Sequence, residues 1–465
     1  MKVAIYSHSL PGAVDGVSRR FTSIIEELHK AGHEVLVFTL EKEPLLEKTL
    51  YPGTSEGRFN YVHLESTFHP VYPSKRVAAP STGNLFTIFG ALLRERPDVV
   101  HVTADALAIS FGLCGKLLGI PTVSSLHTDV TMALEAVNAN AFELWATNFK
   151  ERRESQLLDG CATTSRSFLN KLKAAGVKCD HIVKTGVLVE KFRPDRRSEA
   201  LRERFTFGHP EALLVVYVGR LAPEKGLEKL MQMVRGVDNC YLALVGDGPI
   251  ASYLASLHGP ANRIYCRPGF LSHNELPEVY ASADVHSTCS MFETLGNTVL
   301  EAHACGIPVV LPRTQGFVDT VIDQKDGLFF DGTNLEEGAK HLALLRDDRE
   351  LCRVMGAHGR ARVLQQSPAH VTQDLVEWYK RRAAVVAARG ALTALAQVFQ
   401  LLIMVAIVWT AWNATVLPYE VFGWLKQTLA RTHKLLGTSQ LFGVVRQGYS
   451  RMSLTPAVPP SKKRK

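Results

Sequence analysis

The sequence predicts an α/β protein: two doubly wound parallel-sheet domains facing a cleft, followed by a hydrophobic membrane helix and a basic amphipathic tail. Three observations predict it. Short apolar runs alternate with helical patterns from the first residues onward, which is how a chain of βα units reads. A second such series opens with the apolar run Leu213–Val218. The stretch from Gly390 to Tyr419 then contains no charged residue. At 465 residues the chain exceeds the roughly 100–200 usual for one domain and can bury two cores.

Lys2–Tyr6 reads as a first strand, Val17–Gly32 as a helix and Glu34–Thr39 as a second strand. Residues 98–102 and 121–125 repeat the short apolar pattern of buried parallel strands. A strand beginning at residue 2 is not the pattern of a secretory signal. The first strand meets its helix through Pro11–Val17, a loop with two glycines that is not a Gly-x-Gly-x-x-Gly fingerprint. Arg19 and Arg20 follow on the helix and are expected as exposed charges, the alternative being attraction of an acidic donor or lipid. His127 lies just beyond a strand end, at the expected carboxyl edge of the sheet, and Asp129 is expected to cap a helix. The ranges are 1–190 for the first domain and 191–365 for the second, 366–389 for a helix returning to the first, 390–417 for a membrane segment and 418–465 for the tail. The eight cysteines are scattered without a Cys-x-x-Cys pair, so neither a zinc site nor a disulfide framework is indicated. Cys161, Cys240 and Cys305 read as small core residues.

Two constellations carry the chemistry. In Ser290–Ala302 the carboxylates Glu293 and Glu301 stand eight residues apart, with a helix beginning at Gly296. Glu293 then precedes the helix, and Glu301 lies about 8 Å along it. The unpaired N–H groups of the helix start would hold a phosphate between them. One carboxylate can bond sugar hydroxyls on one side of a diphosphate and the other ribose hydroxyls on the far side, which suits a nucleotide-sugar. The competing reading is a helix with one surface Glu and one buried, paired Glu. The second constellation follows the strand Leu213–Val218: Gly219 and Arg220 arrive at the carboxyl edge, where α/β proteins bind ligands, and Lys225 lies five residues on. Arg as a planar fork and Lys as a point charge are spaced to meet two phosphates.

The segments Gly219-Arg220…Glu224-Lys225-Gly226 and Glu293-x7-Glu301 resemble those of glycosyltransferase family 4, retaining enzymes of the two-domain GT-B fold. The resemblance runs from Met1 to about Tyr379. It includes Gly246–Pro249, Pro268–Ser272, Tyr280–Asp284 and Gly306–Val310. Within the family, Glu293–Ala302 and the segment from Phe111 to Thr128 are similar to sulfoquinovosyl-diacylglycerol synthases, and lipid mannosyltransferases share much of the same wording. The resemblance implies donor binding by Gly16, Gly219, Arg220, Lys225, Glu293, Thr294, Leu295, Gly296 and Glu301. It implies catalytic roles for Glu293, His127, Arg220 and Lys225, with His127 beside the donor sugar. It also implies attack by the acceptor on the face the nucleotide leaves. No Asp-x-Asp motif stands at an expected strand end, so no metal and no other cofactor is expected.

Residues 391–412 are long enough to span the apolar core of a bilayer, which takes about 20 residues, and Trp409 and Trp412 suit its interface. Beyond Pro418 a basic helix is expected, with Val421, Leu425 and Leu429 on one face and Lys426, Arg431 and Lys434 elsewhere. Residues 413–465 hold nine Lys or Arg against Glu420 alone, a net +8, and the whole chain is also +8. The basicity therefore belongs to the membrane segment and not to a nucleic-acid surface. Lys462–Lys465 resembles a dilysine retrieval signal. The expected location is a membrane with the catalytic part on the cytosolic side: endoplasmic reticulum in a eukaryote, plastid envelope as the alternative. A single span would put the basic tail across from the catalytic part, against the positive-inside tendency, so a same-side arrangement is preferred. The expected activity is transfer of a sugar from a nucleotide-sugar, UDP-sugar favoured, to a lipid, with UDP-sulfoquinovose and diacylglycerol first. GDP-mannose- or UDP-glucose-dependent lipid glycosylation is the alternative, and a non-catalytic membrane scaffold is the alternative of another class.

Overall fold

A computed structural model of the chain describes residues 1–10, 15–40, 46, 50, 59–68, 76–136, 139–269, 271, 275–411 and 413. The expectations for the basic tail, Trp412, the Lys462–Lys465 signal and most of the Pro11–Val17 loop lie outside them. The chain forms a large unit of residues 1–67 and 76–406 and a second of 68–75 and 407–465. Both large sheets belong to the first.

The first sheet contains β1 (Lys2–Tyr6), β2 (Glu34–Thr39), β3 (Asn60–His63), β6 (Val99–Thr103), β7 (Thr122–Leu126), β8 (Gly160–Thr163) and β9 (His181–Ile182), while β4 (Ser66–Phe68) and β5 (Arg76–Ala78) pair separately. Its order is β3-β2-β1-β6-β7-β8-β9, parallel throughout. The second contains β10 (Leu213–Val218), β11 (Cys240–Gly246), β12 (Ile264–Pro268), β13 (Val285–Ser287), β14 (Val309–Pro312) and β15 (Gly327–Phe330) in the order β12-β11-β10-β13-β14-β15, also parallel. All six residues of β10 are buried, because helices cover both faces of a parallel sheet and leave no side for polar alternation. Strand order reverses between β1 and β6 and again between β10 and β13. Ligands of such sheets bind outside the strand ends at those crevices.

The helices that matter for the site are α1 (Gly16–Lys30), α2 (Thr82–Glu95), α3 (Ala108–Leu118), α4 (Ala141–Leu157), α5 (Asn297–Ala304), α6 (Pro368–Ala387) and α7 (Ala391–Ala411). Asp15 starts α1: its Oδ1 accepts from the backbone N–H of Val17 and Ser18 at 3.0 and 2.8 Å. Although α6 follows the second sheet in sequence, it packs on the first. Leu375, Val376, Trp378 and Tyr379 join Val3, Ile5, Phe21 and Ile25 in one core. The indole of Trp378 stacks on His181 at 4.8 Å. All eight cysteines are free and buried, Cys161 and Cys240 completely. The strands at 98–102 and 121–125 are each displaced by one residue from the apolar pattern, because pairing begins after Asp98 and Pro121.

Arg19 and Arg20 correct the reading of α1. Neither is a free surface charge: Arg20 is only 5% exposed, and Arg19 is paired with a carboxylate of the second domain. The helix turns its Arg19–Arg20 corner toward the other domain, a neighbour that helical periodicity cannot reveal.

Several histidines are buried in the neutral form. Burial pushes His101 and His303 down to about 3 and His286 to about 4. A depressed folded pKa means that the unfolded chain takes up protons first, near pH 6.5. Their contribution is therefore complete above about pH 6.5 and is lost as pH falls toward the folded values. Thermal unfolding followed by circular dichroism should give a Tm that is flat from pH 8 to about 7 and falls steadily from about 6.5 to 4. A Tm unchanged down to pH 4 would contradict the neutral burial of these rings.

Candidate active site

The loop after β13 brings Glu293 to the start of α5, and Gly296 makes that start possible. Its φ of +87° is a left-handed conformation that glycine adopts without strain, and a Cβ there would lie 3.1 Å from the Phe317 ring. Glu293 Oε1 accepts the Gly296 N–H at 3.2 Å, and its Oε2 lies 3.4 Å from Lys225 Nζ. A carboxylate and an ammonium thus meet over the positive end of a helix. Leu295 is anchored in the second domain's core. Across the gap stands the start of α1. A Cβ on Gly16 would come within 2.7 Å of Asn297 Nδ2, so the two helix starts lie close together and any side chain at 16 would push the Asn297 amide aside.

Glu301, one turn into α5, is buried with both oxygens engaged. Arg19 Nη1 donates to Oε1 at 2.5 Å, and Tyr280 Oη donates to Oε2 at 2.8 Å. The Glu301 charge holds the Arg19 guanidinium above its usual range. A ribose hydroxyl reaching Glu301 would therefore have to displace Arg19. Arg220 is more than half exposed and pairs with Glu224 four residues on, whereas Gly219 directly follows β10, where a Cβ would meet the Tyr217 hydroxyl. The structure thus brings Gly16, Lys225, Glu293, Thr294 and Glu301 together at the domain junction. Arg220 stays turned to its own loop.

His127 sits at the end of β7, nearly buried, with both ring nitrogens bonded. Arg20 Nη1 lies 2.5 Å from Nδ1, and Ser125 Oγ lies 2.7 Å from Nε2. A guanidinium can only donate, so Nδ1 accepts and the proton sits on Nε2. Ser125 Oγ then passes its own hydrogen toward His101 Nε2 at 2.8 Å, and His101 Nδ1 faces the Tyr379 hydroxyl of α6 at 2.6 Å. Burial first and the Arg20 charge second hold His127 well below the ordinary histidine range. Burial also lowers Arg20 to about 10 against the pull of Glu293, so it stays charged at neutral pH. The His127 carbonyl oxygen accepts from Thr294 Oγ1 at 3.0 Å, a bond between the domains.

Other residues that sequence reasoning passed over tie the same junction. Ser167 donates its N–H to Asp319 at 2.7 Å and its hydroxyl to the Gln315 carbonyl oxygen. Asp129 does cap the short helix Val130–Ala136, accepting from the Met132 N–H at 3.0 Å, and its other oxygen takes Lys171 at 2.6 Å and Gln315 at 3.3 Å. Tyr280 lies inside a motif that carried the family resemblance, which was the available signal for it. Arg19, Arg20 and Ser167 had none, since their partners lie more than a hundred residues away. Among the described residues no group of three or more His, Cys, Asp or Glu converges as a metal site.

Two parallel-sheet domains meeting at their carboxyl edges, with α6 returning from the second to the first, define a GT-B glycosyltransferase. The fold matches the solved structure of HepE from Anabaena in complex with UDP, with a TM-score of 0.65 at 16% identity over 82% of this chain and all of that one. The chain belongs to glycosyltransferase family 4. The Glycosyltransferase Family 4 domain matches residues 14–189, and the Glycosyl transferases group 1 domain matches 199–362. A GDP-mannose-dependent alpha-mannosyltransferase of Mycobacterium tuberculosis is 33% identical over 70% of this chain and 83% of its own. The sulfoquinovosyl transferase SQD2 of Arabidopsis thaliana is 28% identical over 77% and 69%. The alpha-monoglucosyldiacylglycerol synthase of Acholeplasma laidlawii is 24% identical over 76% and 89%.

Arg20 supplies the buried donors for His127 and, at 2.6 and 2.9 Å, for Thr185. Arg20→Ala should strand both acceptors, at about 1–3 kcal/mol for each one left unmade. Arg20→Lys should recover only part, because an ammonium cannot serve both partners as a planar fork does. Urea unfolding measures both; an Arg20→Ala midpoint equal to the parent's would show that the guanidinium is not holding this corner.

Proposed function

We propose that this glycosyltransferase moves a sugar, with retention of configuration, from a nucleoside-diphosphate sugar to a membrane lipid. UDP-sulfoquinovose and diacylglycerol are the leading donor and acceptor. In this reading residues 1–190 form the acceptor domain and 191–365 the donor domain, with 366–389 bracing the first. The observation that carries it is the facing pair of helix starts, with Glu293 and Lys225 beside the α5 end. Backbone N–H groups, helix dipole and Lys225 together favour a diphosphate there. Support for a lipid acceptor comes from the monoglucosyldiacylglycerol synthase relative and from the apolar helix α7, which is long enough to cross or enter a membrane.

The chemistry follows from where charge develops. As the bond from the sugar's anomeric carbon to the diphosphate breaks, negative charge grows on the leaving oxygen. Lys225, Arg220 swung from Glu224 and the α5 start meet it. The acceptor hydroxyl attacks from the same face, and its proton passes to the leaving phosphate. Glu293, freed from Lys225 by the incoming phosphate, orients the sugar hydroxyls. Glu301 takes the ribose once Arg19 yields, Gly16 lets the diphosphate approach α1, and Gly219, Leu295 and Gly296 shape the pocket floor. Thr294 links the pocket to His127, whose backbone borders the sugar while its ring braces the wall.

The 33% identical mannosyltransferase favours a second reading in which the donor is GDP-mannose. Calorimetry on the purified full chain separates them: UDP binding without GDP binding is expected, and the reverse outcome moves the assignment to a mannosyl donor. Binding of neither would leave a non-catalytic scaffold. Glu293→Gln should keep the circular dichroism spectrum and lower kcat by about 10²–10³-fold. Lys225→Ala should weaken diphosphate binding and slow turnover as well. Full activity in Glu293→Gln would remove that residue from the site.

A further inference from the structure

α7 rests on the first domain by a single stripe. Between Ala391 and Ala406, the residues withdrawn from solvent are Ala394, Gln397, Val398, Leu401, Met404 and Val405, each three or four positions from another. Leu401 and Met404 are buried against Ile109 and Leu113 of α3 and Leu157 of α4. The stripe occupies about 17 Å of helix. The other face is apolar and bare: Leu392 is 84% exposed and Phe399 66%, with Leu395, Leu402 and Ile403 beside them. An unclothed apolar face of this length marks a contact surface.

A second bare stripe lies on α4. Phe142, Trp145 and Phe149 stack in series, with ring centroids 5.8 and 5.4 Å apart, and all three are exposed, Phe142 by 71%. Arg153 is the next position on this stripe, and its Nη2 reaches Gln400 Oε1 of α7 at 3.5 Å. The aromatic stripe therefore runs up to α7, and the two bare faces adjoin. Arg153 also meets α7 near its midpoint. If α7 crossed a bilayer along its docked length, that guanidinium would lie at the bilayer centre, where a charge is expensive. A helix docked on the domain and lying in the interface has no such conflict, and aromatic rings belong at that depth.

We propose that α7 and the Phe142–Trp145–Phe149 stripe form one docking face that lies in the plane of a bilayer with anionic headgroups, with α7 not crossing it. The sign of the lipid charge follows from the +8 segment that continues from α7. The inference rests on the membrane reading above and adds its geometry and its second element. It also places the bilayer beside the acceptor domain: the short helix Val130–Ala136 packs on α4 and follows directly from His127.

The test uses the full chain with phosphatidylcholine vesicles, with and without phosphatidylglycerol. Because all eight cysteines are buried, a polarity-sensitive thiol dye can report from Leu392→Cys, Leu395→Cys, Phe399→Cys and Leu402→Cys taken one at a time. Depth-graded lipid quenchers should place all four at one shallow depth, and only with anionic vesicles. Trp145→Ala, with unchanged circular dichroism, should weaken partitioning by about tenfold. A depth rising by about 15 Å from 392 to 402 would mean a spanning helix and overturn the in-plane geometry while leaving the membrane reading intact. Undiminished partitioning of Trp145→Ala would remove α4 from the face. Dye shielding without lipid, together with a doubled mass in solution, would assign the face to a second copy. A full chain that binds neither vesicle would take down the membrane reading itself.

Discussion

The starts of α1 and α5 come close to one another across the junction of two parallel sheets, and the rest of the site depends on that approach. A parallel sheet sends every strand-to-helix loop to its carboxyl edge, so each domain presents helix N-termini there. When two such edges face, their positive ends converge on one gap. The chain supplies its own anions: Asp15 caps α1, and Glu293 takes the N–H of Gly296, the residue just before α5. A diphosphate satisfies the same demand with more charge, which is why these surroundings suit a nucleotide-sugar donor.

Holding the two edges together requires bonds between residues far apart in sequence. Arg19 with Glu301, Thr294 with the His127 carbonyl, Ser167 with Asp319 and Gln315 with Asp129 form a row of polar ties along the junction. Polar ties suit a junction that must admit ligands, because water can replace each bond when the domains part, as it cannot replace apolar burial. Behind the row, Arg20, His127, Ser125, His101 and Tyr379 form a buried chain that ends on α6. The helix that follows the second sheet thereby braces the wall of the first sheet. A deletion within α6 would act on the site through this chain without touching a ligand.

The fold was legible because its signals are local. Leu213–Val218 has no polar residue to place on a solvent face, so it reads as a central parallel strand, and the structure buries all of it. Gly296 marks the start of α5 because the backbone there is left-handed. Lys225 and Glu293 were singled out by motif, and they do meet. Arg19 and Arg20 were misread because α1 alone shows two charges on a helix and nothing of the opposite domain. The apolar C-terminal helix was legible by length and composition. Its docked stripe was not, because Leu401 and Met404 look like any other apolar residue until α3 and α4 are set beside them.

The sequence by itself determined two doubly wound domains, the family, the carboxylates flanking a helix start and an apolar C-terminal helix, because each is written within a few turns or strands of chain. Only the tertiary structure decided which partners those groups have. It set Arg19 on Glu301, closed both ring nitrogens of His127, turned Arg220 to Glu224 and laid one face of α7 on the first domain. These outcomes depend on residues up to 282 positions apart being brought within bonding distance. Burial and the competition among fixed charges settle them once the chain is folded, and neither is written in any local pattern.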